Sequence, residues 1–353
     1  MGAGGVEVVV LLEPFLLGEA VPDRLLQAFH GSLDFPRKAP HAGDVVKHHG
    51  IFRLQRDGAA GIVEADIKEK QAVKGGYVLG LATGNSPTGL YRYLAMAFND
   101  GRIDAAKVRS FNLDEYVGLP GENAQQRCLH CESYSYFMIQ QLFGLLERKF
   151  AETSVPWGTL VDQDALIAAL EGHPDQYEMQ GIDQGKAIVI KEGSPGVLGQ
   201  IKKDILDGYE RKIKASGGID LHIIGVGGRG HVAFHESGIP FEGNRVLLVK
   251  LDDSTVGNAV RDGHFASIEE SPRYAISMGA ELVYEASTIV LLANGSRKTG
   301  PVAESVFGPV TCEVPISYGQ KYVADGGDLY YVLDETAALE VLTRRAEAEA
   351  RGF

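Results

Sequence analysis

Residues 220–238 read DLHIIGVGGRGHVAFHESG, and this stretch decides the fold. The apolar run 221–226 has the length of a buried strand and stops at Gly227, Gly228, Arg229 and Gly230. A buried strand that empties into a glycine-rich turn puts the residues after it at the carboxyl edge of a parallel sheet, where open α/β folds bind ligands. Glycines there, Gly227 first among them, let backbone N–H groups approach an anionic substrate closely. His231, His235 and Glu236 come next, and a histidine beside a carboxylate is a ready acid/base pair.

Working outward, 77–82, 108–113, 187–191, 245–251, 288–293 and 329–332 also read as strands. Helical periodicity marks 58–72, a segment from about 87, 133–146, 199–215, 299–306 and 335–348. Strands alternating with helices imply crossover connections and a parallel sheet covered on both faces. The expected fold class is therefore α/β: a Rossmann-like, doubly wound, mainly parallel sheet in three layers. Residues 1–50, with a strand at 6–12 and a short helix at 23–29, read as an extension packed on the core. Residues 51–353 read as a single domain carrying an insertion at about 155–198, where Gly, Pro and acidic residues scatter without a period.

Composition narrows the function. At 353 residues roughly 75% of the unfolded surface can be buried, so no disulfide staple is needed. The formal net charge of −13 disfavours nucleic acid and anionic membranes as partners. It leaves room for a small anionic substrate, because a few local cations and N–H groups override a distant field. Three cysteines make no disulfide framework and suggest a reducing, cytoplasmic setting. The apolar run 6–17 contains Glu7, Glu13 and Pro14 and has neither the length nor the flanks of a membrane helix or signal peptide. Cys128 and Cys131 have a spacing used for zinc or redox chemistry, but a tetrahedral site needs two more ligands and no second pair exists.

Three further strand ends carry polar chemistry. LATGNSPTGLY (81–91) places Thr83, Gly84, Asn85 and Ser86 before a helix that begins near Pro87. Hydroxyls and free N–H groups at a helix start form a phosphate cradle; N-capping by Ser86 is the simpler alternative. FNLDEYVGLP (111–120) ends a strand in adjacent carboxylates, Asp114 and Glu115. LLANGSRKTG (291–300) turns at Gly295 and offers Arg297 and Lys298, cations suited to a phosphate.

LATGNSPTGLY, FNLDEYVGLP, HCESYSYFM (130–138), the 220–238 segment and ANGSRK (293–298) occur in the order of the motifs of glucosamine-6-phosphate deaminases (isomerases). The resemblance covers roughly residues 56–335, and the looser strand–turn pattern is shared with the related 6-phosphogluconolactonases. It implies a phosphorylated sugar as substrate, no metal or organic cofactor, and a fold that is a single Rossmann-like domain. It also makes a homo-oligomer compatible with the family. Asp114 resembles the base that moves a proton between C2 and C1 of the open-chain sugar. His231 resembles the group that opens the ring, with Glu236 as its partner. Thr83, Gly84, Asn85 and Ser86 resemble the phosphate loop, Lys298 its cationic ligand, and Arg261 a second one.

The pattern departs from the family at the turn itself. The family's Gly-x-Asp-Gly-His has Arg229 in place of the Asp, its Asn before the glutamate is His235, and the Pro of His-Pro-Glu-Ser is Cys131. A guanidinium beside His231 would disfavour imidazolium, where a carboxylate would favour it. The retained Asp114, His231 and Glu236 imply an isomerase/deaminase in which Glu236 or His235 supports His231. Arg229 as a ligand for an extra anionic group would imply a lactonase-like hydrolase of a phosphosugar lactone. Loss of catalysis would leave a sugar-phosphate sensor.

Overall fold

A computed structural model describes residues 6–11, 51–53 and 58–353. The helix expected at 23–29 lies outside the described residues. Among the described residues thirteen strands run in chain order: β1 (Val6–Leu11), β2 (Ile51–Arg53), β3 (Tyr77–Leu81), β4 (Val108–Asn112), β5 (Asp114–Val117), β6 (Glu152–Ser154), β7 (Tyr177–Gln180), β8 (Lys186–Ile190), β9 (Leu221–Gly225), β10 (Val246–Lys250), β11 (Tyr274–Met278), β12 (Thr288–Ala293) and β13 (Asp328–Asp334).

Eight of them form one sheet in the order β2-β1-β13-β12-β9-β3-β4-β6, and every pairing in it is parallel. The α/β, doubly wound expectation holds. Side chains alternate between the two faces, as the period of two requires. Val78, Ile224, Ile289 and Leu291 enter one core, while Leu79, Leu81, Ile223, Val290 and Leu292 enter the other. Helices Gly58–Lys74 and Thr88–Asn99 pack on the second face; Asp207–Ala215 and Thr299–Phe307 pack on the first. That is a three-layer architecture.

The chain winds outward from β3 through β4 to β6 on one side, and from β9 through β12 to β13 on the other. The order therefore reverses between β3 and β9, and the loops leaving those strands part there. Such a switch point opens a crevice at the carboxyl ends of the strands. The two strands touch intimately at Gly80, whose Cβ would lie 2.3 Å from the His222 ring, so only glycine fits opposite that histidine.

The strand runs at 187–191 and 245–251 belong elsewhere than the alternation implied. They are β8 and β10 of a second, five-stranded sheet, ordered β5-β11-β10-β8-β7, and its pairings are antiparallel. Periodicity identifies a strand but not its partner, which is a non-local choice. Leu113 joins the two sheets. Its N–H donates to Leu81 O at 3.0 Å, continuing the parallel ladder, and its carbonyl accepts from Met278 N at 2.7 Å. The next residue, Asp114, opens β5 opposite Ser277.

Candidate active site

Four loops meet at the switch point around a cavity of about 510 Å³, lined among others by Thr83, Asn85, Asp114, His231, Phe234 and Lys298. This volume lies within the roughly 300–1,000 Å³ common for small-molecule sites. Thr83, Gly84, Asn85, Ser86 and Gly227, all expected from the sequence, line it too.

Asp114 is buried at 6% exposure, and among the described residues its Oδ1 has no hydrogen-bond partner. Burial, with the neighbouring Glu115 charge second, pushes its carboxyl well above the ordinary value. A buried, unpaired carboxylate facing a cavity is costly to hold and is the kind of group that takes protons. Glu115 differs entirely. Its carboxylate accepts from Ser133 Oγ, Ser135 N and Ser135 Oγ, each at 2.9 Å, and from Tyr134 N at 3.0 Å. Burial pushes it up and these bonds pull it back. Glu115 thus fixes the start of helix Tyr134–Gln141 and seats Tyr134 in the cavity wall. That explains the serines of HCESYSYFM, whose purpose the sequence pattern left open.

His231 lies across the turn, with its Nδ1 3.3 Å from Glu236 Oε2. A carboxylate at Nδ1 favours the Nδ1–H tautomer and leaves Nε2 its lone pair. Nε2 sits over Gly227, where a Cβ would come within 1.7 Å of it. Gly227→Ala should therefore expel the ring and lower kcat/KM by roughly 100-fold, the cost of an ångström-scale misplacement; steady-state kinetics on the folded variant measures it. Glu236 is itself anchored: Asp252 N donates to Oε1 at 3.2 Å and Thr255 Oγ1 to Oε2 at 3.0 Å.

His235 is no partner of His231. Its Nδ1 accepts from Ala280 N and its Nε2 donates to Ile239 O, both at 3.0 Å. Burial pushes it down to about 4, so it is a neutral structural histidine. The two rings are sent apart by a tight turn in which Ala233 has φ 53° and His235 N bonds Val232 O. Of the two supports considered for His231, the contact belongs to Glu236.

At the phosphate-loop side, Ser86 does not cap its helix. Its Oγ donates to Asn294 Oδ1 at 2.6 Å, tying the 83–86 loop to the loop after β12. Gly84 and Gly295 both take positive φ, 94° and 85°, conformations glycine adopts without strain. Lys298 lines the cavity; burial and the nearby Arg297 lower its ammonium, against the pull of Asp262. Arg297 itself bonds Asp262 through two 3.2 Å contacts.

Two expected ligands stand outside the lining. Arg261 bonds Asn258 on its own helix, and the adjacent Asp262 lines the cavity instead. Arg229 is not among the lining residues and pairs with Asp183 at 2.7 Å. Tyr134, Phe234, Asp262 and Asn294 were not identified as site residues from the sequence. Asn294 lies in the quoted strand-end motif, but the aromatics carry no signal separating wall from core. Cys128, Cys131 and Cys312 are free thiols. Among the described residues no three His, Cys, Asp or Glu side chains gather to hold a metal, and no helix is long and apolar enough to cross a membrane.

Known proteins share this sequence and architecture, although no protein-family model matches the chain. The glucosamine-6-phosphate deaminase of Clostridium botulinum (strain Loch Maree / Type A3) is 33% identical over 274 residues, covering 78% of this chain and 91% of its own. Glucosamine-6-phosphate deaminase 2 of Bacillus subtilis (strain 168) is 36% identical over 260 residues, 73% of this chain and 85% of its own. The chain belongs to the glucosamine-6-phosphate deaminase family. A solved monomeric glucosamine-6-phosphate deaminase superposes with a TM-score of 0.58 at 26% identity, over 80% of this chain and 93% of that one.

Proposed function

We propose that the protein is a sugar-phosphate isomerase/deaminase acting on glucosamine 6-phosphate, in a cytoplasmic setting. The observation that carries this reading is the placement of Asp114 and His231 in the lining of one cavity that the 83–86 loop and Lys298 also line.

The arrangement divides the labour. The loop N–H groups, Thr83 and Lys298 hold the phosphate and so fix the sugar. His231, with Nδ1 bound to Glu236, uses Nε2 to move the proton between the O1 hydroxyl and the ring oxygen as the ring opens. Glu236 stabilises the imidazolium that forms in passing. Asp114 then takes the C2 proton and returns it at C1, since one carboxylate over the C1–C2 edge can serve both positions. O1 takes a proton as the enolamine forms, and protonation at C1 with loss of an N–H proton leaves a C2 imine. Water adds at C2 to give the carbinolamine, and the C2–N bond breaks to release ammonia and fructose 6-phosphate. Fixing the reacting carbons against both groups contributes up to about 7–11 kcal/mol in the best cases.

The test is incubation of the purified protein with glucosamine 6-phosphate and, separately, 6-phosphogluconolactone. Ammonia and fructose 6-phosphate are expected from the first; hydrolysis of the second alone would replace this reading with the lactonase one. Lys298→Met should raise KM by roughly 10- to 100-fold, the worth of a charge-assisted phosphate contact, with kcat changed far less. An unchanged KM would remove Lys298 from the phosphate site.

A further inference from the structure

The loop 181–185 between β7 and β8 comes from a part of the chain that carries none of the strand-end motifs, yet it closes over the back of the catalytic turn. Ile182 N donates to Gly238 O at 3.2 Å. Asp183 Oδ2 receives Arg229 at 2.7 Å and Ser237 Oγ at 3.2 Å. Gly185 N donates to Asp252 Oδ2 at 3.3 Å, and Asp252 N in turn holds Glu236. A Cβ on Gly185 would stand 2.7 Å from Glu236 Cβ, so the loop backbone rests directly on that side chain. Burial pushes Asp252 up, but the bonds from Ser254 and Gly185 and the Arg229 charge together hold it below the ordinary carboxylate value.

We propose that loop 181–185 is a clamp that positions Glu236 against His231, with Arg229 and Asp183 as its latch. The guanidinium does not address the imidazole or the cavity. It fastens the glycine-rich turn to a loop that the parallel sheet does not supply, and so replaces direct orientation of His231 by a second carboxylate with support from behind Glu236. Arg229 and Asp183 are positioning residues, because neither touches the space the sugar would fill. The inference rests on the reading of His231 as the ring-opening group, and the spectroscopic arm of its test does not.

Asp183→Ala should lower kcat on glucosamine 6-phosphate by roughly tenfold, a part of the cost of misplacing a catalytic group, and leave KM within about twofold, because the phosphate loop and Lys298 are untouched. Asp183→Glu, which can still reach Arg229, should restore most of the rate. In protein labelled with 15N-histidine, the His231 ring signals, assigned by their loss in His231→Gln, should move in Asp183→Ala from a single Nδ1–H tautomer toward an average of two. The His222 and His235 signals should stay in place and report an intact fold. Gly185→Ala, which displaces Glu236 without changing charge, should move the same signals. Unmoved His231 signals in both variants would overturn the clamp whatever the activity does. Moved signals in a protein without turnover on any phosphosugar would uphold the clamp and overturn the proposed reaction.

Discussion

Asp114→Asn should abolish deamination while leaving the sugar phosphate bound. Loss of the sole base at the C1–C2 edge belongs at the top of the roughly 10²–10⁴-fold range for general base catalysis. The phosphate seat lies on other loops, so binding of glucosamine 6-phosphate, read by calorimetry, should weaken little. The same variant should unfold at a higher temperature. Asp114 is buried without a partner for Oδ1, and burial raises its carboxyl; the native state thus binds the proton more tightly than the unfolded chain. Between the unfolded and the folded value the native state holds more protons, so stability falls as pH rises through that interval, and the full penalty is present above the folded value. Neutral asparagine avoids it. The gain in Tm should be full above the folded value and vanish in acid, below the unfolded value. Catalysis runs the other way: kcat/KM should fall as pH drops through the raised value, above the ordinary carboxylate range. Thermal scans and rate profiles of both proteins across pH measure the two trends. A variant that is less stable at pH 7, or that has lost binding together with turnover, would remove Asp114 from this role.

His231→Gln should lower ammonia release from the cyclic amino sugar by about 10²–10³-fold, since the ring must then open without a positioned proton carrier. Its effect should depend on the substrate. Solvent hydrogen exchange at C1 of open-chain fructose 6-phosphate needs Asp114 but no ring opening once the chain is open, and so should survive better than deamination. Equal losses in both assays would mean that His231 serves the proton transfer between carbons. That outcome would conflict with its location, held against Glu236 by a turn separate from the segment that carries Asp114.

The range of the forces involved separates the features legible in the residues from those that only the fold reveals. The runs 77–82, 220–226 and 288–293 are legible because central parallel strands are apolar on both faces, and their polar sequels are legible because glycines and hydroxyls mark the turns. Those features are local, and they brought Thr83–Ser86, Asp114, His231, Gly227 and Lys298 to the same cavity. The second sheet was hidden because β8 and β10 look like any buried strand; the antiparallel ladder of β11 with β5, continued by Met278 N to Leu113 O, shows where it attaches. Side-chain direction was hidden too. Arg229 sits one residue from Gly230 in the turn, yet its charge is answered by Asp183, 46 positions earlier in the chain. Arg261 and Asp262 are neighbours on a helix end, and a rotation of about 100° per residue decides which of them meets the cavity. Glu115 stands beside Asp114 at the same strand end, and only its bonds to Ser133, Tyr134 and Ser135 identify it as a cap.

The most direct test of the central claim is to track glucosamine 6-phosphate deuterated at C2 by NMR during incubation with the protein. The predicted result is release of ammonia and formation of fructose 6-phosphate, with deuterium lost from C2 and part of it recovered at C1 as the one carboxylate carries it across. Deuterium still fixed at C2 and no ammonia after prolonged incubation would contradict the account.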